Sequence, residues 1–260
     1  KRAKEKLEGI VQERTSEIVK QKDQIEQKNE ALNKQNEEIM AQRDEIGKQK
    51  HLLEDKNKEI TDSIFYAKKI QEAILIDTEV INRNIPDSFI LFKPKDIVSG
   101  DFYFYNRVVL NGKECQVIAA ADCTGHGVPG AFMSMIGNDK LNEAVKQFSD
   151  PGKILTHLNN LIKQSLQKEE NTSSAKDGMD IALCILEPET GKVFYSGANR
   201  PLWMIRKADG DTTEIEEIKA TKNAIGGFTD YDQQYETHII QLKKGDAIYL
   251  FSDGYADQFG

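Results

Sequence analysis

The chain has 260 residues, of which 30% are charged and 38% hydrophobic, and a formal net charge of -8. That acidity, with no basic patch interleaved with aromatics, argues against nucleic acid as the main partner. No apolar run approaches the ~20 residues of a transmembrane helix and no signal peptide is visible, so direct membrane contact is not expected of this stretch.

The three cysteines, Cys115, Cys123 and Cys184, show no CxxC spacing. They point to neither a disulfide framework nor a zinc site, and fit a reducing cytoplasmic setting. The sequence begins at Lys1 without Met and stops at Gly260 just after a motif. It is therefore read as part of a longer protein, with any sensor, membrane-embedded or otherwise, lying upstream in the same chain.

Composition divides the chain. Residues 1–60 are almost wholly Lys, Glu, Gln, Asn, Asp and Ile, whereas residues 86–260 have ordinary globular composition. A core must come from the latter, and roughly 170 residues are ample for one domain. Val11, Ile18, Ile25, Leu32, Ile39, Ile46, Leu53 and Ile60 fall seven residues apart, and no proline precedes Pro86. Such a sustained heptad predicts a long coiled-coil helix over residues 1–60.

With that series at d, the a positions read Thr15, Lys22, Asn29, Asn36, Arg43, Lys50, Asn57 and Ile64. Polar a residues, Asn above all, fix register and favour a parallel homodimer at a cost in stability. Gly47 weakens the helix further, by roughly 1 kcal/mol relative to Ala. The segment is thus either a plain dimerising stalk or a signal-transmitting helix that shifts register for a few kcal/mol.

From Ile60 the apolar surface widens through Ile64, Phe65, Ala67, Ile70, Ala73 and Ile74 to Ile76. Residues 61–85 are assigned as a linker or switch helix. Within it, residues 61–76 either dock the stalk onto the globular domain or form that domain's own first helix.

Residues 89–92, 102–110 and 116–121 read as strands, with Asn111-Gly112 as a hairpin turn. Pro129 opens a helix to about Phe148. Asp150-Pro151 starts a second, with Ile154, Leu155, Leu158, Leu161, Ile162 and Leu166 on one side. A polar loop at 168–178 precedes strands at 181–186, 193–196, 202–206, 213–218, 235–242 and 247–251, the turn at 208–210 dividing two of them. Strands grouped around a helical pair predict an α+β domain with mainly antiparallel sheets.

Three segments carry the chemistry: Val98-Ser99-Gly100-Asp101, Ala121-Asp122-Cys123-Thr124-Gly125-His126-Gly127 and Ser252-Asp253-Gly254. Each sets a carboxylate where an apolar run stops at a glycine, which is how a sheet rim presents oxygen ligands to a hard divalent cation. Asp122 and Asp253, on adjacent strand ends, could hold a pair of Mg²⁺ or Mn²⁺ ions about 3.5 to 4 Å apart and make a bridging water nucleophilic. That pattern points to a metal-dependent hydrolase.

These segments resemble the metal-dependent serine/threonine protein phosphatases of the PPM family, in their bacterial sporulation stage II E branch. The resemblance rests on VSGDFY at 98–103, DCTGHGVPGA at 122–131, DGMDIALCILEPETG at 177–191, YSGANRPL at 195–202, AIGGF at 224–228 and LFSDGYAD at 250–257. It covers residues 60–260 with these segments in order.

The resemblance implies an αββα sandwich of two mainly antiparallel sheets flanked by helices, with a site for two Mn²⁺ or Mg²⁺ ions between them. Asp122 would bridge both ions, the Cys123 carbonyl would be a further ligand and Asp253 would bind the second ion. Asp101 would take part in catalysis by holding metal-bound water or joining the coordination. The implied reaction is hydrolysis of phosphoserine or phosphothreonine without a covalent enzyme intermediate. The implied partner is a small phosphorylated regulatory protein of the anti-sigma-factor-antagonist type, with activity controlled through the coiled coil.

The chain departs from the family pattern in having Cys123 where many relatives have Gly, and in ending before the family's last metal-binding aspartate. Those departures keep open a catalytically silent phosphatase-like scaffold as the alternative. His126 is a candidate general acid. Cys123 and His126, three residues apart in a tight turn, lack the orienting partner a thiol hydrolase needs. Asp180 reads either as support behind the metal ligands or as a solvated strand end.

Overall fold

The computed structural model describes residues 2–110, 112–166, 177–207 and 213–255. The chain forms two units, one up to Asp62 and one from Ser63 onward. The first unit lies wholly within helix α1 (Arg2–Ile74). Ion pairs one turn apart, Lys50 with Glu54 and Lys56 with Glu59, run along its surface. Such pairs contribute only a few tenths of a kcal/mol each, and a polar helix of this length gains most of its stability from a packed apolar seam. The heptad residues Ile18, Ile25, Leu32, Ile39, Ile46, Leu53 and Ile60 all stand exposed on it.

The second unit opens with the last turns of α1, followed by α2 (Thr78–Asn84). Asp77 caps α2, its carboxylate accepting from the Glu79 amide at 2.9 Å. It lies within the linker or switch helix expected over 61–85, which is interrupted between Ile74 and Thr78. The strand predicted at 89–92 does not form: residues 85–100 are irregular, and Phe89 and Leu91 are exposed. Pro86 and Pro94 bracket the segment and remove ladder donors at both ends. Its one ring that packs on the following strand is Phe92, edge-on to Tyr103 with centroids 5.5 Å apart.

β1 (Asp101–Leu110) and β2 (Lys113–Cys123) form a hairpin. Next come α3 (Gly127–Gln147) and α4 (Pro151–Leu166), then β3 (Gly178–Glu187) and β4 (Lys192–Ala198). β5 (Leu202–Lys207), β6 (Thr213–Ile218), β7 (Ile225–Gly226), β8 (His238–Gln241) and β9 (Ala247–Tyr249) complete the strands, and a 3-10 turn spans Asp253–Tyr255. The strands expected at 235–242 and 247–251 are thus shorter than predicted, and β7 was not anticipated. Residues 168–176 of the loop predicted at 168–178, the turn at 208–210 and Asn111 of the hairpin turn lie outside the described residues, while Gly178 already belongs to β3.

The strands make two antiparallel sheets, one ordered β1-β2-β3-β4-β8 with β7 beside β3, the other β6-β5-β9. The expected α+β sandwich is the observed architecture. Side chains alternate across a strand, so Ile181, Leu183 and Ile185 of β3 join the core beneath α3 and α4, against Leu141, Ile154, Leu155, Leu158 and Ile162. Ala182 and Cys184 instead join Val193, Tyr195, Leu202 and Met204 in a second core between the sheets. β3 is covered on both faces, which is why it reads as the unbroken apolar run IALCIL after Asp180.

Candidate active site

The β-ladder assembles the site. Its register opposes Asp101 to Asp122 across β1 and β2, and Asp122 to Asp180 across β2 and β3. Direct cross-strand partners share a face, with Cβ atoms about 4.5–5.5 Å apart. Three aspartates therefore stand in a row at one end of the larger sheet. Asp122 stands one residue before the end of β2, whereas Asp101 opens β1 and Asp253 begins the 3-10 turn. Asp253 comes in from the chain after β9, and with it comes Ser252, whose hydroxyl donates to Asp101 Oδ2 at 2.5 Å.

Like charges directly opposed are unfavourable, and the electrostatics record it. Burial first, then the neighbouring Asp101 carboxylate, push the Asp122 carboxyl up to about 7, with Arg200 opposing the rise. Burial acts on Asp253 in the same direction, but its hydrogen bond and charge pairing with Arg200 outweigh that and hold it below the usual carboxylate range.

Arg200 is the side chain at this cluster that the sequence reading missed. Its guanidinium lies between two of the predicted metal ligands, donating to Asp122 and, at 2.5 Å, to Asp253 Oδ2. Its Nε is 3.8 Å from Asp180 Oδ2 and has no hydrogen-bond partner among the described residues. Asp180 in turn accepts from Asn199 Nδ2 at 2.8 Å. Asp180 thus stands at the end of β3 beside Arg200. The available signal was a lone cation in YSGANRPL, a segment with no other charge.

The glycines of two motifs have a packing reason. A Cβ on Gly100 would fall 2.8 Å from the Gly125 carbonyl oxygen and 3.3 Å from that of Cys123, and one on Gly130 would fall 2.5 Å from Gly125 O. The turn after β2 thus lies directly on the backbone leading into Asp101. Gly125 and Gly127 also take φ of 86° and 62°, a region that favours glycine. The Thr124 amide donates to Gly178 O at 2.9 Å, tying the same turn to β3.

A buried amide secures the other side. Gln71, near the end of α1, donates to Ser99 O at 2.7 Å and accepts from the Ser99 amide at 3.0 Å, while also donating to Ser134 Oγ at 2.8 Å. Residues 61–76 therefore belong, from Ser63, to the same unit as the catalytic candidates and grip the VSGD segment directly.

Other candidates fare differently. The Cys123 side chain is buried, and burial together with the Asp122 and Asp101 carboxylates pushes its thiol well up, so it stays protonated. His126 is almost fully exposed, with Nδ1 3.5 Å from Asp96 Oδ2. Cys123 and His126 do not form a thiol-imidazole pair.

The donor set suits a hard cation. Asp122, Asp180 and Asp253 set oxygens around the Arg200 guanidinium, and Asp101 stands beside Asp122 as a fourth carboxylate. Among the described residues, no three His, Cys, Asp or Glu side chains stand together in a ligand arrangement. Asp122 and Asp253 are turned to Arg200 instead.

The sequence profile described as Stage II sporulation protein E (SpoIIE) matches residues 112–259. The chain belongs to the SpoIIE family. This is a branch of the PPM phosphatases, and phosphatases of this kind are metal-dependent. SpoIIE-type kinship extends to the phosphoserine phosphatase RsbU of Bacillus subtilis (strain 168), 29% identical over 204 residues that make up 76% of this chain and 54% of that protein. The chain thus spans about half the length of this curated relative. Among solved structures, the SiaA-PP2C domain of Pseudomonas aeruginosa superposes with a TM-score of 0.61 at 32% identity, covering 78% of this chain and 75% of that one. The αββα fold expected of a SpoIIE-type domain accords with that superposition. Among the described residues no helix is long and apolar enough to cross a membrane.

Proposed function

We propose that this chain is a metal-dependent protein serine/threonine phosphatase acting on a small regulatory phosphoprotein. The observation that carries the reading is the row Asp101, Asp122 and Asp180 across three paired strands, joined by Asp253. Kinship with a protein named phosphoserine phosphatase supports the substrate class.

In this reading Asp122, Asp253 and the Cys123 carbonyl hold two Mn²⁺ or Mg²⁺ ions, and Asp101 assists from beside Asp122. Bound ions supply a nucleophilic water and offset phosphoryl charge. The chain's own part is orientation. Ser252 fixes Asp101 by its hydrogen bond, Asn199 fixes Asp180, and the Gly100-Gly125-Gly130 contact holds the Asp101 and Cys123 segments together.

Regulation through the N-terminal coiled coil, formed as a parallel homodimer and driven by an upstream sensor, is part of the same proposal. Its support is continuity: the helix that carries the heptads also carries Gln71, which grips Ser99 two residues before Asp101.

The test is Mn²⁺-dependent phosphate release from p-nitrophenyl phosphate and from a phosphoserine-bearing regulatory protein, beside Asp122→Asn. The wild-type chain should be active and the variant inactive; equal rates would sink the proposal. The guanidinium lodged among the carboxylates favours a second reading, a catalytically silent scaffold. Calorimetric titration with Mn²⁺ separates them, since a scaffold binds none.

A further inference from the structure

Asp122 and Asp253 are joined by a protein cation, and that cation is placed by dedicated structure. Arg200 follows β4 in a tight turn in which its amide donates to Ala198 O at 2.7 Å. The preceding residue, Asn199, takes φ 58° and donates through its own amide to Thr221 O at 2.8 Å. Left-handed backbone is uncommon outside glycine, and Asn is among the residues that tolerate it.

From the core between the sheets, the fully buried Tyr195 sends its hydroxyl to the Arg200 carbonyl at 2.6 Å. Gly197 leaves room for that bond, since a side chain there would overlap both the Tyr195 hydroxyl and the Arg200 carbonyl. A surface arginine needs no such clasp. The guanidinium itself is mostly covered, with 14% of its side-chain surface exposed.

Arginine also differs from a divalent ion in what it can do. Its planar fork binds carboxylates through N–H donors and keeps its charge at every physiological pH. A metal ion draws on the same carboxylates, which must be deprotonated to hold it. A divalent ion seated between Asp122 and Asp253 would meet the positive charge of the guanidinium at the position it now occupies.

We propose that Arg200 competes with the divalent cation for Asp122 and Asp253, and so sets the metal affinity of the site. This rests on the metal-binding reading of Asp122 and Asp253 above. The guanidinium holds the two carboxylates together and relieves their repulsion. A divalent ion must displace it, and the net affinity is the difference between the two contacts.

The experiment is Mn²⁺ titration of the full chain by calorimetry, for wild type, Arg200→Met and Arg200→Gln, with Asp122→Asn as control. Removing the competitor should tighten Mn²⁺ binding about tenfold, or about 1.4 kcal/mol. In parallel, thermal melts without Mn²⁺ should show both Arg200 variants melting below wild type, and saturating Mn²⁺ should close that gap. Unchanged or weaker Mn²⁺ binding in folded Arg200→Met overturns the inference, leaving the metal site intact if Asp122→Asn alone abolishes binding. If Arg200→Met does not fold, Arg200→Gln decides by the same criterion. No Mn²⁺ binding by wild type or by any variant removes the metal-site reading itself, and the inference falls with it.

Discussion

Replacing Gln71 with Leu tests whether the end of α1 holds the Asp101 segment in place. Leucine keeps the bulk of the buried side chain but removes the amide that donates to Ser99 O and Ser134 Oγ and accepts from the Ser99 amide. Ser134 Oγ can offer its single proton to Ala131 O at 2.9 Å or to Ser99 O at 3.3 Å, so only one of these two bonds remains as a substitute.

The Ser99 amide has no such substitute among its recorded bonds, and Ser99 is itself buried. An orphaned buried donor costs about 1–3 kcal/mol, and each lost neutral bond about 0.5–1.5. Part of this is offset by the apolar side chain. The expected loss is about 2–4 kcal/mol, a large share of a domain stability of order 5–15. Urea unfolding followed by the fluorescence of Trp203, the single tryptophan, reports the unit that contains the site. A midpoint shift worth less than about 0.5 kcal/mol at unchanged slope would show that Gln71 fills space without anchoring Ser99.

Tyr195→Phe should lower stability by about 1–2 kcal/mol through the unpaired Arg200 carbonyl, read in the same urea assay. An unchanged midpoint would remove the clasp from the account of Arg200. Gly130→Ala would set a Cβ 2.5 Å from Gly125 O and 3.1 Å from Gly100 Cα. It should therefore cost about 1–3 kcal/mol and weaken Mn²⁺ binding by parting the Asp101 and Cys123 segments, whereas wild-type affinity would refute that coupling. Replacing Asn29 and Asn36 together with Ile should raise the melting temperature of an α1-mediated dimer, seen by circular dichroism, and change basal phosphatase activity. Unchanged activity in a stabilised dimer would reduce the coiled coil to a stalk.

What the sequence made legible follows from what is local. The heptad of α1, the two helices after Pro129 and Pro151 and the strand ends bearing Asp122 and Asp180 are all written in periodicity and punctuation. The failures are of another kind. Residues 89–92 carry the apolar content of a strand, but with prolines on both sides they find no ladder partner. β7 is two residues long and exists only through pairing with Gly178 and Met179. Nothing local marks Arg200 as a partner of residues 78 and 53 positions away. The opposition of Asp101 to Asp122 was likewise invisible until the hairpin register was known, because that register alone decides which carboxylates share a face.

The hydrogen bond from Ser252 to Asp101 spans 151 positions of chain. Contacts at such separation must overcome the entropy of closing the intervening loop, so they become favourable only once shorter-range structure has formed. The first hairpin alone brings Asp101 opposite Asp122, but the carboxylate cluster is finished only when Ser252 and Asp253 arrive from the far end of the chain.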